Sequence, residues 1–425
     1  MFGEQYFIDR LAGLYELSPV KYLSGTGELH FNNIISSVQW ELVVPITGEH
    51  TLFLHHKGYS DLGLFIDPKI LGNPGFSLSG SSSYGEWDVS IPTIQIFDVS
   101  TSINSEMLIS MNCYAREILL RKCGTIHNEI DHIKGLIRNF DFLGSEVTQD
   151  GSRSSLDKIR VIIRNKEISF RTIKDSNMVK ALLKSKRIDR ALLSTVTLPL
   201  DQGENIEEIY SLLKTICWLL SLINVNACLC PIVQQWSGQE LIAINIRNLI
   251  SSQFHRNIII DNKNVRNGIV DIFNNCYEEY CNIDSAINLS IFVSNLLGMY
   301  EGKFLEHKIV GLLLSYEYIL TKYLIYLGHD ENEVAKLSIQ DKLRRLNIIL
   351  RFIPSRLLGD ILRENVRNPL FHSGELTLLN TDEKTNVFKE YFDLLIQIVL
   401  KLIGYTGGYI SPIDYEVRHI LGTVR

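Results

Sequence analysis

Cysteine is sparse and unpaired in this chain: seven residues, an odd number, with only Cys228 and Cys230 close together. No second Cys or Cys/His pair stands at zinc-finger spacing, so a structural zinc site is not expected. Buried, reduced thiols in a cytoplasmic protein are. An excess of positive charge is also missing. The net charge of −6 argues against a surface built for non-specific nucleic-acid binding, while leaving room for a local basic groove. The first residues carry Glu4 and Asp9 where a secretory leader needs basic and then apolar residues. Thr215–Val233 holds no charge, but Asn224, Asn226 and Pro231 interrupt it. It reads as a helix followed by a strand, and no membrane association is expected. No Walker A, dinucleotide, H-E-x-x-H or G-x-S-x-G signature occurs, and no solenoid repeat. No cofactor is expected. The remaining histidine pairs are weak metal candidates. His55 and His56 would point to opposite faces of a strand, and "HNEIDH" (127–132) lacks a third ligand.

What is present is the balance of a globular protein, 45% hydrophobic and 21% charged, at a length that calls for two or three domains. "SVQWELVVPI" (37–46), "HTLFLHH" (50–56), "LGLFI" (62–66), "WDVSIPTIQIFDV" (87–99) and "EMLISMNCYAREILL" (106–120) are short and rich in β-branched and aromatic residues. Residues 72–75 and 79–86 carry turn chemistry, and 144–157 reads as a linker or long loop before the hairpin-like 158–173. After residue 200 the period becomes helical. Residues 206–224 repeat apolar side chains every three or four positions, with Glu207 and Glu208 in the first turn. A hairpin insert (228–246) turns at Ser237-Gly238. Four helical stretches follow, at 293–328 with an interruption, 339–352, 355–366 and 384–405. The expected fold class is α+β: an antiparallel β-rich domain (1–200), then a helical bundle (201–425).

One segment stands out, "RENVRNPLFHSGEL" (363–376). Six arginines are followed by asparagine (Arg138, Arg164, Arg247, Arg256, Arg266 and Arg367), and only Arg367 has a histidine five residues on. Chance supplies about 0.2 such cases. Arg356, Arg363 and Arg367 would fall near one helical face, with Asn368 and His372 one turn apart. Pro369 predicts a kink or a restart of the helix there. From Lys342 to His372 the chain holds seven basic residues (Lys342, Arg344, Arg345, Arg351, Arg356, Arg363 and Arg367) against Asp360 and Glu364. Such a stretch suits a phosphate-binding groove, or a solvated face paired with acids elsewhere. Glu306 and Glu317 stand on the helix expected beside it, and either could orient Arg367.

Arg, Asn and His together suit RNA cleavage without a metal. Imidazole exchanges protons with the 2′-hydroxyl or the leaving 5′-oxygen, guanidinium holds the phosphate, and the amide orients either. "VRNPLFHSG" resembles the R-N-x3-H motif of HEPN domains. Together with "SLLKTICWLLSLINVN", "FLEHKIVGLLLSYEYIL" and "IQDKLRRL" after a β-rich region, the layout is similar to ApeA-type HEPN proteins of bacterial abortive-infection defence. The resemblance spans about residues 205–420 and is specific around 361–376. It implies an endoribonuclease acting on tRNA or other cellular RNA, with Arg367, Asn368 and His372 catalytic, Arg363 on the RNA and no metal. It implies also a homodimer with a composite site, and an N-terminal domain that answers a phage-derived trigger. Gly374 stands where HEPN toxins silenced by a partner nucleotidyltransferase carry Tyr, which argues against that control. A non-catalytic HEPN-like module that binds nucleotide, RNA or protein through the same residues is the alternative.

Overall fold

The structure is a computed structural model that describes residues 22–57, 73–103, 107–124, 130–142, 146–147, 154–155, 157–173, 176–249, 254, 259–260, 268–359, 366–373, 376, 379–411 and 413–420. It is α+β, with a large antiparallel sheet in the N-terminal half and helices in the C-terminal half. The chain forms two compact units that interleave in sequence: residues 1–141, 168–214 and 228–254 make one, and 142–167, 215–227 and 255–425 the other.

The first unit begins with β1 (Tyr22–Phe31), β2 (Ile34–Val43), β3 (Thr51–Lys57), β4 (Phe76–Ser82), β5 (Trp87–Ile103), β6 (Met107–Ala115), β7 (Glu117–Lys122) and β8 (His132–Arg138). Two short strands, β9 (Glu146–Val147) and β10 (Ser154–Ser155), and β11 (Lys158–Ile163) belong to the second unit. There follow β12 (Lys166–Thr172), α1 (Ser176–Lys184), β13 (Leu192–Pro199), α2 (Ile206–Asn224), β14 (Leu229–Ser237) and β15 (Glu240–Arg247). Strand order runs β12-β13-β8-β14-β15-β7-β5-β4-β1-β2-β3-β6, and β5 also pairs with β6. That last pairing closes β5, β4, β1, β2, β3 and β6 into a barrel. Period-two alternation sends Val38, Trp40 and Leu42 of β2 inward beside Leu52 and Leu54 of β3. Side chains fill the interior.

Sequence expectation and structure meet closely for β2, β3, β5 and the β6–β7 segment, which divides at Arg116. Residues 62–66 lie outside the described residues. Strand β4 overrides the turn reading at residue 79, because its serines alternate with Phe76 and Leu78, which are buried. The hairpin expected as an insert among helices is part of the sheet: β14 and β15 pair with β8 and β7. Its tight turn carries Gly238 at φ +58°, the position where a type II′ turn needs glycine. The uncharged stretch 215–233 divides between α2 and β14, as expected.

The second unit continues with α3 (Gly268–Asp271), a π-turn (Ile272–Cys276), α4 (Tyr277–Ile287), α5 (Leu289–Glu301), α6 (Leu305–Tyr326), α7 (Glu331–Lys336), α8 (Ile339–Leu350), α9 (Asn368–Ser373) and α10 (Thr381–Leu402), then β16 (Gly408–Ile410) and β17 (Val417–His419). The interruption expected within 293–328 falls between α5 and α6. Helix α6 is central. Gly311 lets it approach α5 so closely that an added Cβ would stand 2.8 Å from Met299 Cβ. The Tyr316 hydroxyl donates to the Tyr391 carbonyl of α10 at 2.6 Å. By length and composition α6 could cross a membrane, but Leu312, Tyr316, Ile319 and Leu320 are buried in the bundle. Asn380 begins α10 with a reciprocal capping box to Glu383.

Asp393 organises the end of this unit. Its carboxylate, 5% exposed, accepts from the Ser411 hydroxyl at 2.7 Å, Gln397 Nε2 at 2.8 Å, the Tyr409 hydroxyl at 3.1 Å and Arg418 Nη1 at 3.3 Å. Asp393→Ala strands those donors, so it is expected to cost about 3 kcal/mol in denaturant unfolding. A loss under 1 kcal/mol would show that the hub is dispensable.

In the first unit, His50 is buried, its Nε2 donating to the Ala115 carbonyl at 2.8 Å. Desolvation, aided by the charge of Arg138, pushes the imidazole down to about 4, against the pull of the Ala115 bond. The unfolded chain therefore binds the proton more tightly, and stability present above pH 6.5 is lost as pH falls toward 4. The loss amounts to about 3 kcal/mol. Denaturant titrations followed by fluorescence of Trp40 and Trp87 should show that decline in the wild type and a much flatter response in His50→Gln.

Candidate functional site

Helix α9 carries the Arg-Asn-His segment. Residues 366 and 367 are π-helical and run directly into the α-helical residues Asn368–Ser373. Pro369 thus follows a π-helical turn, an irregularity of the kind that accompanies a residue without an N–H in a helix. The described part of the helix runs to Ser373, and Gly374, where a stop was expected, lies outside the described residues.

Two buried apolar residues one turn apart, Val366 and Leu370, hold this segment on the bundle, with Leu376 buried beyond it. That anchoring leaves Arg367 exposed and Asn368 half-buried. Asn368 and His372 are four residues apart on α9, hence one turn apart on one face. Arg363 lies outside the described residues.

The single helix expected over 355–366 is corrected at its start, while residues 360–365 lie outside the described residues. Ser355–Leu358 is a 3-10 turn, and Gly359 leaves it in extended backbone at φ −72°, ψ 171°. Arg356 thus belongs to a separate short element and does not share a helical face with Arg367. The reason is local: Pro354 opens the turn and Gly359 closes it after one revolution.

The basic stretch is also differently employed than its sequence suggests. Lys342 is fully buried, and its ammonium bonds to the Glu317 carboxylate and to the Thr321 hydroxyl, the latter at 2.9 Å. Arg344 donates to Asp341 at 2.8 Å and to the Leu358 carbonyl at 3.1 Å. Those bonds tie α8 to α6 and to the 3-10 turn. Arg351 is exposed at the end of α8, in the left-handed region at φ 55°. Of the seven basic residues, Lys342 is thus buried and Arg344 bonded within the bundle, whereas Arg351 and Arg367 are exposed.

The two carboxylates considered as orienters are accounted for otherwise. Glu306 pairs with Lys384 of α10 at 3.0 Å, across helices, and Glu317 takes Lys342. Charge from Lys384 and the helix N-terminal backbone hold the Glu306 carboxyl below its usual range, the backbone bond being the larger influence.

Among the described residues no group of three or more His, Cys, Asp or Glu could hold a metal ion. His55 and His56 alternate as expected: His56 is buried against the Ser37 carbonyl at 3.0 Å, and His55 meets the Ser110 hydroxyl at 3.0 Å. His132 pairs with Asp131 and stacks on Trp236 at 6.0 Å. The cysteines form no disulfide, and burial pushes Cys113, Cys217 and Cys276 up to about 12, where a thiolate is scarce. Cys123 is exposed, against the expectation of uniformly buried thiols.

No protein-family model matches this chain, and no curated protein matches it.

The roles of Asp393 and Lys342 were invisible to motif reading, because most of their partners come from other elements of the chain. The one available signal was chemical, a lone Asp in the apolar run "YFDLLIQIVL" of α10. Because the Lys342 ammonium is committed to Glu317, Lys342→Met should change stability by less than about 1.5 kcal/mol. A chromatographic comparison should show unchanged retention on a phosphate-mimicking heparin matrix. Strongly weakened retention would assign Lys342 to an anion site.

Proposed function

We propose that this chain is a metal-independent RNA endonuclease of the HEPN type, cutting tRNA or other cellular RNA as an anti-phage abortive-infection effector. The observation that carries the reading is the Arg367-Asn368-x3-His372 segment itself: an exposed arginine on a π-helical turn, with asparagine and histidine one turn apart on the helix that follows. The bundle around α6 and the β-rich first unit agree with the layout of ApeA-type proteins.

The chemistry follows from the residue types. A neutral imidazole takes the proton of a ribose 2′-hydroxyl, and the freed oxygen attacks the adjacent phosphorus. The P–O bond to the 5′-oxygen breaks as that oxygen receives a proton. The products are a 2′,3′-cyclic phosphate and a 5′-hydroxyl. The Arg367 guanidinium offsets charge building on the phosphoryl oxygens, and Asn368 orients the phosphate or the imidazole. Removal and delivery of the two protons need two imidazoles, which a homodimer supplies by facing one His372 with another.

The engagement of Lys342 and Arg344 by acids favours a second reading, a HEPN-like module that binds RNA, nucleotide or protein without cutting. Incubating the full chain with total tRNA in EDTA distinguishes them. Cleavage is expected to persist, with cyclic-phosphate ends, and to fall at least about 100-fold in His372→Ala and in Arg367→Ala. Chelator-sensitive cleavage, or undiminished cleavage by His372→Ala, would reject the mechanism. RNA retained but never cut, with or without phage lysate, would support the binding module. Solution mass tests the composite site: an active monomer rejects it.

A further inference from the structure

We draw no further inference here: the strongest candidate, the apolar surface patch of Ile348 and Ile349 at the C-terminal end of α8, 74% and 47% exposed, is a solvated helix face, and nothing among the described residues shows what covers it.

Discussion

The sheet of the first unit depends on one strand changing partners. β5 lies between β4 and β7 over its first residues, then pairs with β6 from Ile94 to Ile103. The register with β4 slips between Leu78↔Ile91 and Phe76↔Ile94, so an extra residue is accommodated on β5. Pro92 sits within that slip. Proline cannot donate to a ladder and is tolerated in a sheet at such irregularities, where the bulge also bends the strand. The bend closes the barrel on one side while the other side continues into β7, β15, β14 and β8. A regular β5 would build an open sheet and leave its hydrophobic face uncovered.

In the second unit the corresponding constraint is polar. An apolar helix, α10, carries Asp393 into the interior, and only the donors of Tyr409, Ser411, Gln397 and Arg418 make that burial tolerable. The short β16–β17 hairpin supplies three of the four through its strands and the residue beside them. Lys342 obeys the same rule: it is a fully buried cation answered by Glu317 and Thr321. Each ties two elements by a bond that packing alone would not specify.

Those two buried charges explain why the candidate site was only partly readable. The Arg367-Asn368-x3-His372 spacing is a property of the chain, and helix geometry at once relates Asn368 to His372. The supply of positive charge is not such a property. Lys342 counted toward a basic stretch until its burial against Glu317 removed it, and Arg356 left the common face once Gly359 took extended backbone. Counting charges along a chain ignores the direction in which each side chain points, and direction is set by tertiary packing.

The sequence by itself determined the elements whose signal is local: the alternation of β2 and β3, the helical period of α2 and α10, and the turn at Gly238. Propensity and periodicity act over a few residues and need no partner. Tertiary structure alone decided that residues 229–247 belong to the sheet of the N-terminal strands, that β5 serves two neighbours, and that serine-rich β4 is a strand with an outward polar row. Each of these rests on pairing between distant segments, and backbone hydrogen bonds carry no mark of their partner in the side chains that flank them.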